Sequence, residues 1–188
     1  YTVTVTDSKS CTKTNSVTLI QPSAITAIMS STSPGCNSGT NGTATVTTSG
    51  GTAGYTYLWN TTPAQITSVA TGLSAISYTI TVTDSKSCTQ SNNVTLTQPS
   101  AITVTTSSTS PGCNGGTNGS ATVTASGGTA GYTYLWNTAP AQTTSTATGL
   151  SAANYTVTVT DSKSCTKTNS VTLTQPSAIT ATMSSTGP

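Results

Sequence analysis

Apolar and polar residues alternate strictly along residues 155–160, Tyr-Thr-Val-Thr-Val-Thr. A period of two predicts a strand that puts Tyr155, Val157 and Val159 on one face and Thr156, Thr158 and Thr160 on the other, the threonines toward water. Shorter runs of the same kind flank it. Ile102-Thr-Val104 opens a first strand, Ser120 to Thr124 a second and Tyr132 to Trp136 a third. Thr143 to Thr148 offers one or two weak strands, and Ser170 to Leu173 ends the set. Turn residues separate these runs, as in Ser110 to Gly119 and at Gly127-Gly128, and nothing shows a helical period. Six or seven short strands with such punctuation predict an all-β fold, a β-sandwich.

The pattern recurs. Tyr1, Tyr78 and Tyr155, Cys36 and Cys113, and Trp59 and Trp136 are each spaced by 77 residues, and residues 1–23 match 155–177 except at Ile20 and Thr174. A period of this length marks a tandem array. It predicts the end of one repeat at 1–23, complete sandwiches at 24–100 and 101–177, and the start of another repeat at 178–188. Pro188 falls where Pro34 and Pro111 fall. The chain therefore reads as part of a longer array, with no leader, hydrophobic span or sorting tail in view. Gln21-Pro22, Gln98-Pro99 and Gln175-Pro176 mark the junctions, where proline stiffens a short linker and predicts a rod of modules.

Composition changes this picture in one respect. Threonine and serine fill roughly two-fifths of the chain, which has five Lys, three Asp and no His, Glu, Arg or Phe. Threonine keeps strand geometry on an exposed face without making it sticky. The consequence is a thin core, near the lower limit for an independent domain. Trp59, Trp136, Tyr78 and Tyr155 are its expected large members, the tyrosines resembling the corner tyrosine of a sandwich. Tyr55, Tyr57, Tyr132 and Tyr134, with the tryptophans, also have the spacing of a sugar-stacking platform.

The ordered set Cys113-Asn-Gly-Gly, Gly119-Ser-Ala-Thr-Val-Thr, Gly127-Gly-Thr, Tyr132-Thr-Tyr-Leu-Trp136, Gly149-Leu-Ser-Ala and Tyr155-Thr-Val-Thr-Val-Thr-Asp161 through Cys165 resembles the SprB-type repeat of large surface adhesins of gliding Bacteroidota. The likeness runs through both complete periods. It departs at Ala130-Gly131, where the family often has proline, and at Ser162-Lys-Ser164, where it often has a glycine before the cysteine. The resemblance implies secreted, cell-surface, immunoglobulin-like sandwiches strung into fibres for adhesion or gliding, with no catalytic residues.

Two cysteines per period in a chain of extracellular composition predict disulfides among Cys11, Cys36, Cys88, Cys113 and Cys165, while the absence of His and of any Cys-x-x-Cys argues against a metal. Two pairings are open. A local one joins Cys36 to Cys88 and Cys113 to Cys165; another joins Cys36 to Cys165, leaving Cys11 and Cys113 to neighbouring units. In an immunoglobulin-like order the loop after strand A and the turn after strand F lie at opposite ends of a module. The ends are on the order of 20 Å apart, too far for a disulfide, which slightly favours Cys36 with Cys165.

All charged side chains cluster at Asp7 to Lys13, Asp84 to Lys86 and Asp161 to Lys167. They read as solvated hairpin tips or as polar contacts at a junction. One carboxylate per period is too few for a calcium site, and the glycine-rich loops lack the lysine and helix of a phosphate cradle. Without His or paired carboxylates the chain has no acid–base machinery, so it is not expected to be an enzyme or to need a cofactor. A formal charge of +2 is no nucleic-acid footprint, and no amphipathic helix or span points to membrane insertion.

The function expected is a stalk or filament shaft at the cell surface, because complete periods differing at only fifteen of 77 positions suit a shaft better than a recognition surface. Its partners would be further copies of the repeat, with lateral assembly into fibres where Ile28, Met29, Ile66 and Val69 replace the threonines of the other period. The alternative is a multivalent array binding surface glycans. Ice binding through the threonine rows ranks behind both. Asn41, Asn60, Asn93, Asn118 and Asn154 stand in glycosylation sequons.

Overall fold

A computed structural model describes residues 1–185 and 187; Pro188 lies outside the described residues. Fourteen strands and no helix are formed among them: β1 (Thr2–Thr6), β2 (Thr12–Ser16), β3 (Thr26–Thr32), β4 (Gly42–Ser49), β5 (Thr56–Trp59), β6 (Val69–Leu73), β7 (Ser77–Thr83), β8 (Thr89–Thr95), β9 (Thr103–Thr109), β10 (Gly119–Ser126), β11 (Thr133–Trp136), β12 (Thr146–Leu150), β13 (Asn154–Thr160) and β14 (Thr166–Thr172). Strands β9 to β14 stand at the same positions of their period as β3 to β8.

The chain divides into two compact units. One holds Tyr1–Ser31, Ala44–Ala70 and Ser77–Thr95; the other holds Thr32–Thr43, Thr71–Ile76 and Leu96 onward. The loop bearing Cys36 thus belongs to the second unit.

In the second unit, sheets β12-β10-β9 and β11-β13-β14 face one another. All their pairings are antiparallel. Grouping strands one, two and four against three, five and six is the immunoglobulin-type division. Between the sheets lie Ala121, Val123, Trp136, Ala147, Leu150, Val157, Val159 and Leu173. Trp136 fills the centre at 1% exposure, its indole N–H donating to Thr144 O at 3.0 Å, so the large ring is buried without an orphan donor. Packing is tight enough that a Cβ on Gly119 would lie 2.7 Å from both Leu150 O and Leu173 Cδ2.

In the first unit, β5-β7-β8 forms a sheet that buries Trp59, Tyr78, Ile80 and Val82. β3 and β6 flank β4 in a further three-stranded sheet. The same unit contains the hairpin β1–β2, whose residues are all exposed.

Several expectations need correction. The last strand of the period runs Thr166–Thr172 rather than Ser170 to Leu173. Its polar Thr-Lys-Thr-Asn start hides it from a hydrophobic pattern, yet it pairs with β13 from Thr160↔Thr166 onward. The first strand runs to Thr109, and the weak region contains one strand, β12. Thr156, Thr158 and Thr160 are half-buried rather than open to water, because β13 is flanked on both sides by β11 and β14.

Candidate functional site

The site is built from a hairpin turn and a loop, both in the second unit. The turn joins β13 to β14. Asp161 N donates to Cys165 O at 2.9 Å and Ser164 N to Asp161 O at 3.0 Å. Asp161 Oδ1 accepts from the N–H groups of Lys163 at 2.8 Å and Cys165 at 2.9 Å, an Asx-type brace. Its Oδ2 accepts from Thr129 N at 2.9 Å, across from the β10–β11 turn. Ser164 sits at φ 64°, a left-handed position.

Asp161 is therefore buried, and neither a solvated tip nor a junction contact describes it. The Thr129 N–H, followed by those of Cys165 and Lys163, holds its carboxyl below the ordinary carboxylate range against the opposing effect of burial, with the Lys163 charge adding to the lowering. Asp84 is held the same way, first by Thr52 N–H and then by those of Cys88 and Lys86, again against burial.

The loop carries Cys36. Gly39 N donates to Cys36 O at 3.0 Å, and Gly35 N donates to Asn41 Oδ1 at 3.3 Å. The junction dipeptide completes it: Gln98 Oε1 accepts from Ser38 N at 2.8 Å, and Pro99 O accepts from Asn37 Nδ2 at 3.1 Å. Gln98-Pro99 had read only as a linker. Its fixed offset from Cys36-Asn37, repeated as Gln175-Pro176 and Cys113-Asn114, was the signal available for this brace.

Loop and turn meet in the Cys36–Cys165 disulfide, with Cα atoms 5.6 Å apart and a sequence separation of 129. That spacing lies inside the range a disulfide requires. Cys165 Sγ lies 3.5 Å from Gly35 O. The local pairs Cys36 with Cys88 and Cys113 with Cys165 are not formed, and Cys11, Cys88 and Cys113 are exposed free thiols. A cleft of about 410 Å³ beside the bond is lined by Asn37, Ile102, Asp161 and Lys167 among others. Both carboxylate oxygens of Asp161 are already engaged there, and no group of three His, Cys, Asp or Glu among the described residues has metal-binding geometry.

Of the remaining candidates, Trp59 and Trp136 are each 1% exposed and Tyr78 is buried. Tyr155 is half-buried against the core, its hydroxyl donating to Ser151 O at 3.2 Å in the manner of a tyrosine corner. Tyr132 and Tyr134 also pack against the core, and the Tyr132 hydroxyl donates to Gly127 O. These aromatic residues do not form an open platform. Ile28, Ile66 and Val69 are exposed.

The SprB repeat family model matches residues 29–63 and 102–141. Each matched stretch contains one cysteine loop, Cys36 or Cys113, and one core tryptophan; the Asp–Cys turns lie outside both. No curated protein matches the chain. Among solved structures, one described as the structural basis for Dscam isoform specificity is similar at 14% identity and a TM-score of 0.36, over 89% of this chain and 52% of that one. The chain therefore spans about half the length of that structure. An amphioxus IgVJ-C2 molecule is similar at 13% identity and a TM-score of 0.34, over 66% of this chain and 91% of that one.

Proposed function

We propose, from the SprB-repeat matches in both complete periods, that this chain is a load-bearing shaft segment of an extracellular surface adhesin, serving adhesion or gliding. The Cys36–Cys165 bond carries the reading. Tension applied along the chain crosses from Cys36 to Cys165 through two sulfurs and bypasses the stretch between them, a sequence separation of 129. A shaft gains from this, because the bypassed strands need not resist the load. A structural disulfide, here half-buried, also suits an oxidising, extracellular setting. The segment is assigned neither a reaction nor a cofactor, and its composition, without His or Glu, supports this. The glycan-array alternative has no supporting observation, since both indoles lie in the core.

Pulling single molecules by their ends tests the reading. Oxidised chains are expected to withhold the enclosed stretch at every force below bond rupture, and a reductant to release roughly 430–460 Å of additional extended chain. Release of that length by oxidised molecules would remove the load-bearing role. Antibodies against residues 101–177 should label intact, unpermeabilised cells; labelling only after lysis would remove the surface location.

A further inference from the structure

The bonded loop and turn each have an unbonded counterpart one period away, built in the same way. In the loop Pro111–Asn118, Gly116 N donates to Cys113 O at 3.0 Å, Gly112 N to Asn118 Oδ1 at 3.3 Å, Asn114 Nδ2 to Pro176 O at 3.1 Å, and Gly115 N to Gln175 Oε1 at 2.8 Å. These repeat the four hydrogen bonds of the Cys36 loop at the same distances. Ser38 and Gly115 share the left-handed backbone position, at φ 58° and 73°. In the turn Asp84–Cys88, Asp84 accepts from Lys86 N, Cys88 N and Thr52 N, each at 2.9 Å, as Asp161 accepts from its own three donors. Ile25 beside Asp84 is half-buried, as Ile102 is beside Asp161.

What differs is cover. Gly35 and Cys36 are half-buried and Cys165 with them, whereas Gly112, Cys113 and Cys88 are exposed. A Cβ on Gly35 would meet Lys163 Cβ at 4.0 Å, and one on Gly112 would meet nothing. Loop and turn therefore hold their shape without a partner, so docking requires little reordering of either.

We propose that the Cys113 loop and the Cys88 turn are the two halves of a head-to-tail docking device, and that its partner is a second copy of this chain, Cys113 of one bonding Cys88 of the next. The loop and the turn are different segments, so the contact is heterologous and joins each copy to a further one. The bond forms by exchange with a small-molecule disulfide such as oxidised glutathione. One cysteine thiolate attacks it, releasing one glutathione thiol and leaving a mixed disulfide. The other cysteine then attacks the protein sulfur of that mixed disulfide and releases the second. Two protein thiols are oxidised and one glutathione disulfide is reduced to two thiols. The proposal rests on the shaft reading by naming what the unbonded loop and turn accept, but a failed docking test would leave surface labelling of the repeat untouched.

Cys11 supplies an internal control. Its turn has the same Asp7 brace to Lys9 N and Cys11 N at 2.8 Å, but among the described residues no β-turn donor meets Asp7 from across, as Thr52 and Thr129 meet Asp84 and Asp161. Equal mixtures of isotopically light and heavy chain, with Cys36–Cys165 intact, are incubated in glutathione redox buffer, run on non-reducing gels and mapped by mass spectrometry. A ladder of multimers is expected, with light–heavy Cys113–Cys88 peptides at least about tenfold more abundant than Cys113–Cys11 or Cys113–Cys113, the abundance ratio corresponding to about 1.4 kcal/mol of preference. Cys88→Ser should abolish the ladder beyond dimers while leaving the unfolding midpoint unchanged. Near-random pairing among the three thiols, a Cys88–Cys113 bond confined to single chains, or persistent monomer under oxidising conditions would each overturn the proposal.

Discussion

Residues 1–16 and 155–170 have one sequence and one hairpin geometry, yet opposite environments. Val3 pairs with Asn15 and Val5 with Lys13, as Val157 pairs with Asn169 and Val159 with Lys167. Both turns close with a 2.9 Å bond from the aspartate N–H to the cysteine carbonyl. Yet Val3 and Val5 are 59% and 63% exposed, whereas Val157 and Val159 are fully buried. β13 has a third strand, β11, on its other edge and a second sheet facing it; among the described residues β1 pairs only with β2. Strand pairing is thus written locally, and burial is conferred by chain far away in sequence. A two-stranded hairpin is marginal by itself in water, so identical substitutions in the two copies should have unequal effects.

The largest inequality is expected at the cysteines. Cys165→Ser opens the 129-residue loop and should lower stability by about 2–5 kcal/mol, read from denaturant midpoints under oxidising conditions. Cys11→Ser removes a free, exposed thiol and should leave the midpoint in place. Comparable losses from both would mean that the hairpin copies are not distinguished by their covalent partners.

Next come the valines. Val157→Ala removes two methyl groups from a fully packed site and should cost about 2–3 kcal/mol, the lost transfer energy plus a cavity. Val3→Ala should fall within about 0.5 kcal/mol. Native-state hydrogen exchange sharpens the contrast without mutation: amides of β13 should exchange near the global unfolding free energy, and those of β1 by local opening.

The aspartates separate the copies by pH. Asp161 accepts three backbone hydrogen bonds, one of them from Thr129 across the fold, and its folded-state pKa is lowered. A lowered folded value means the stabilisation is present above the unfolded pKa, near about 4, and is lost as pH falls through the folded value. Asp161→Asn should therefore lower the urea midpoint at neutral pH, with the gap from the parent narrowing below about pH 4. A gap that is constant down to acid would assign the loss to geometry rather than charge. Asp7→Asn measures what the two turn hydrogen bonds contribute without the donor from across.

The same contrast explains what could be read from residue order. β13 was legible because Tyr155, Val157 and Val159 alternate with threonine, and the sandwich followed from several such runs. The start of β14 was not: Thr166-Lys-Thr-Asn carries no apolar alternation and is a strand because β13 offers it a hydrogen-bonding edge. Asp161 looked like a solvated tip because its third donor, Thr129, stands 32 residues away. For the cysteines, spacing left two pairings open, since a disulfide depends on where loop ends lie and not on intervals along the chain. The part played by Gln98 was hidden for the same reason, its partner Ser38 lying 60 residues upstream.

The smallest effect uses a position where sequence and backbone disagree. Ser10, Ser87 and Ser164 sit at φ 66°, 64° and 64°, a region where a Cβ is disfavoured. Replacing serine relieves that strain, and glycine's greater freedom in the unfolded chain offsets part of the gain. Ser164→Gly should raise stability by about 0.5–1 kcal/mol, visible as a higher unfolding midpoint because its turn closes a hairpin built into the core. Ser10→Gly relieves the same strain in a hairpin with no facing sheet among the described residues. Its gain should appear only as slower exchange of the amides that close the Asp7–Cys11 turn, with the global midpoint unmoved. A shift of that midpoint by Ser10→Gly would show the β1–β2 hairpin unfolding cooperatively with its unit and would erase the distinction between the two copies.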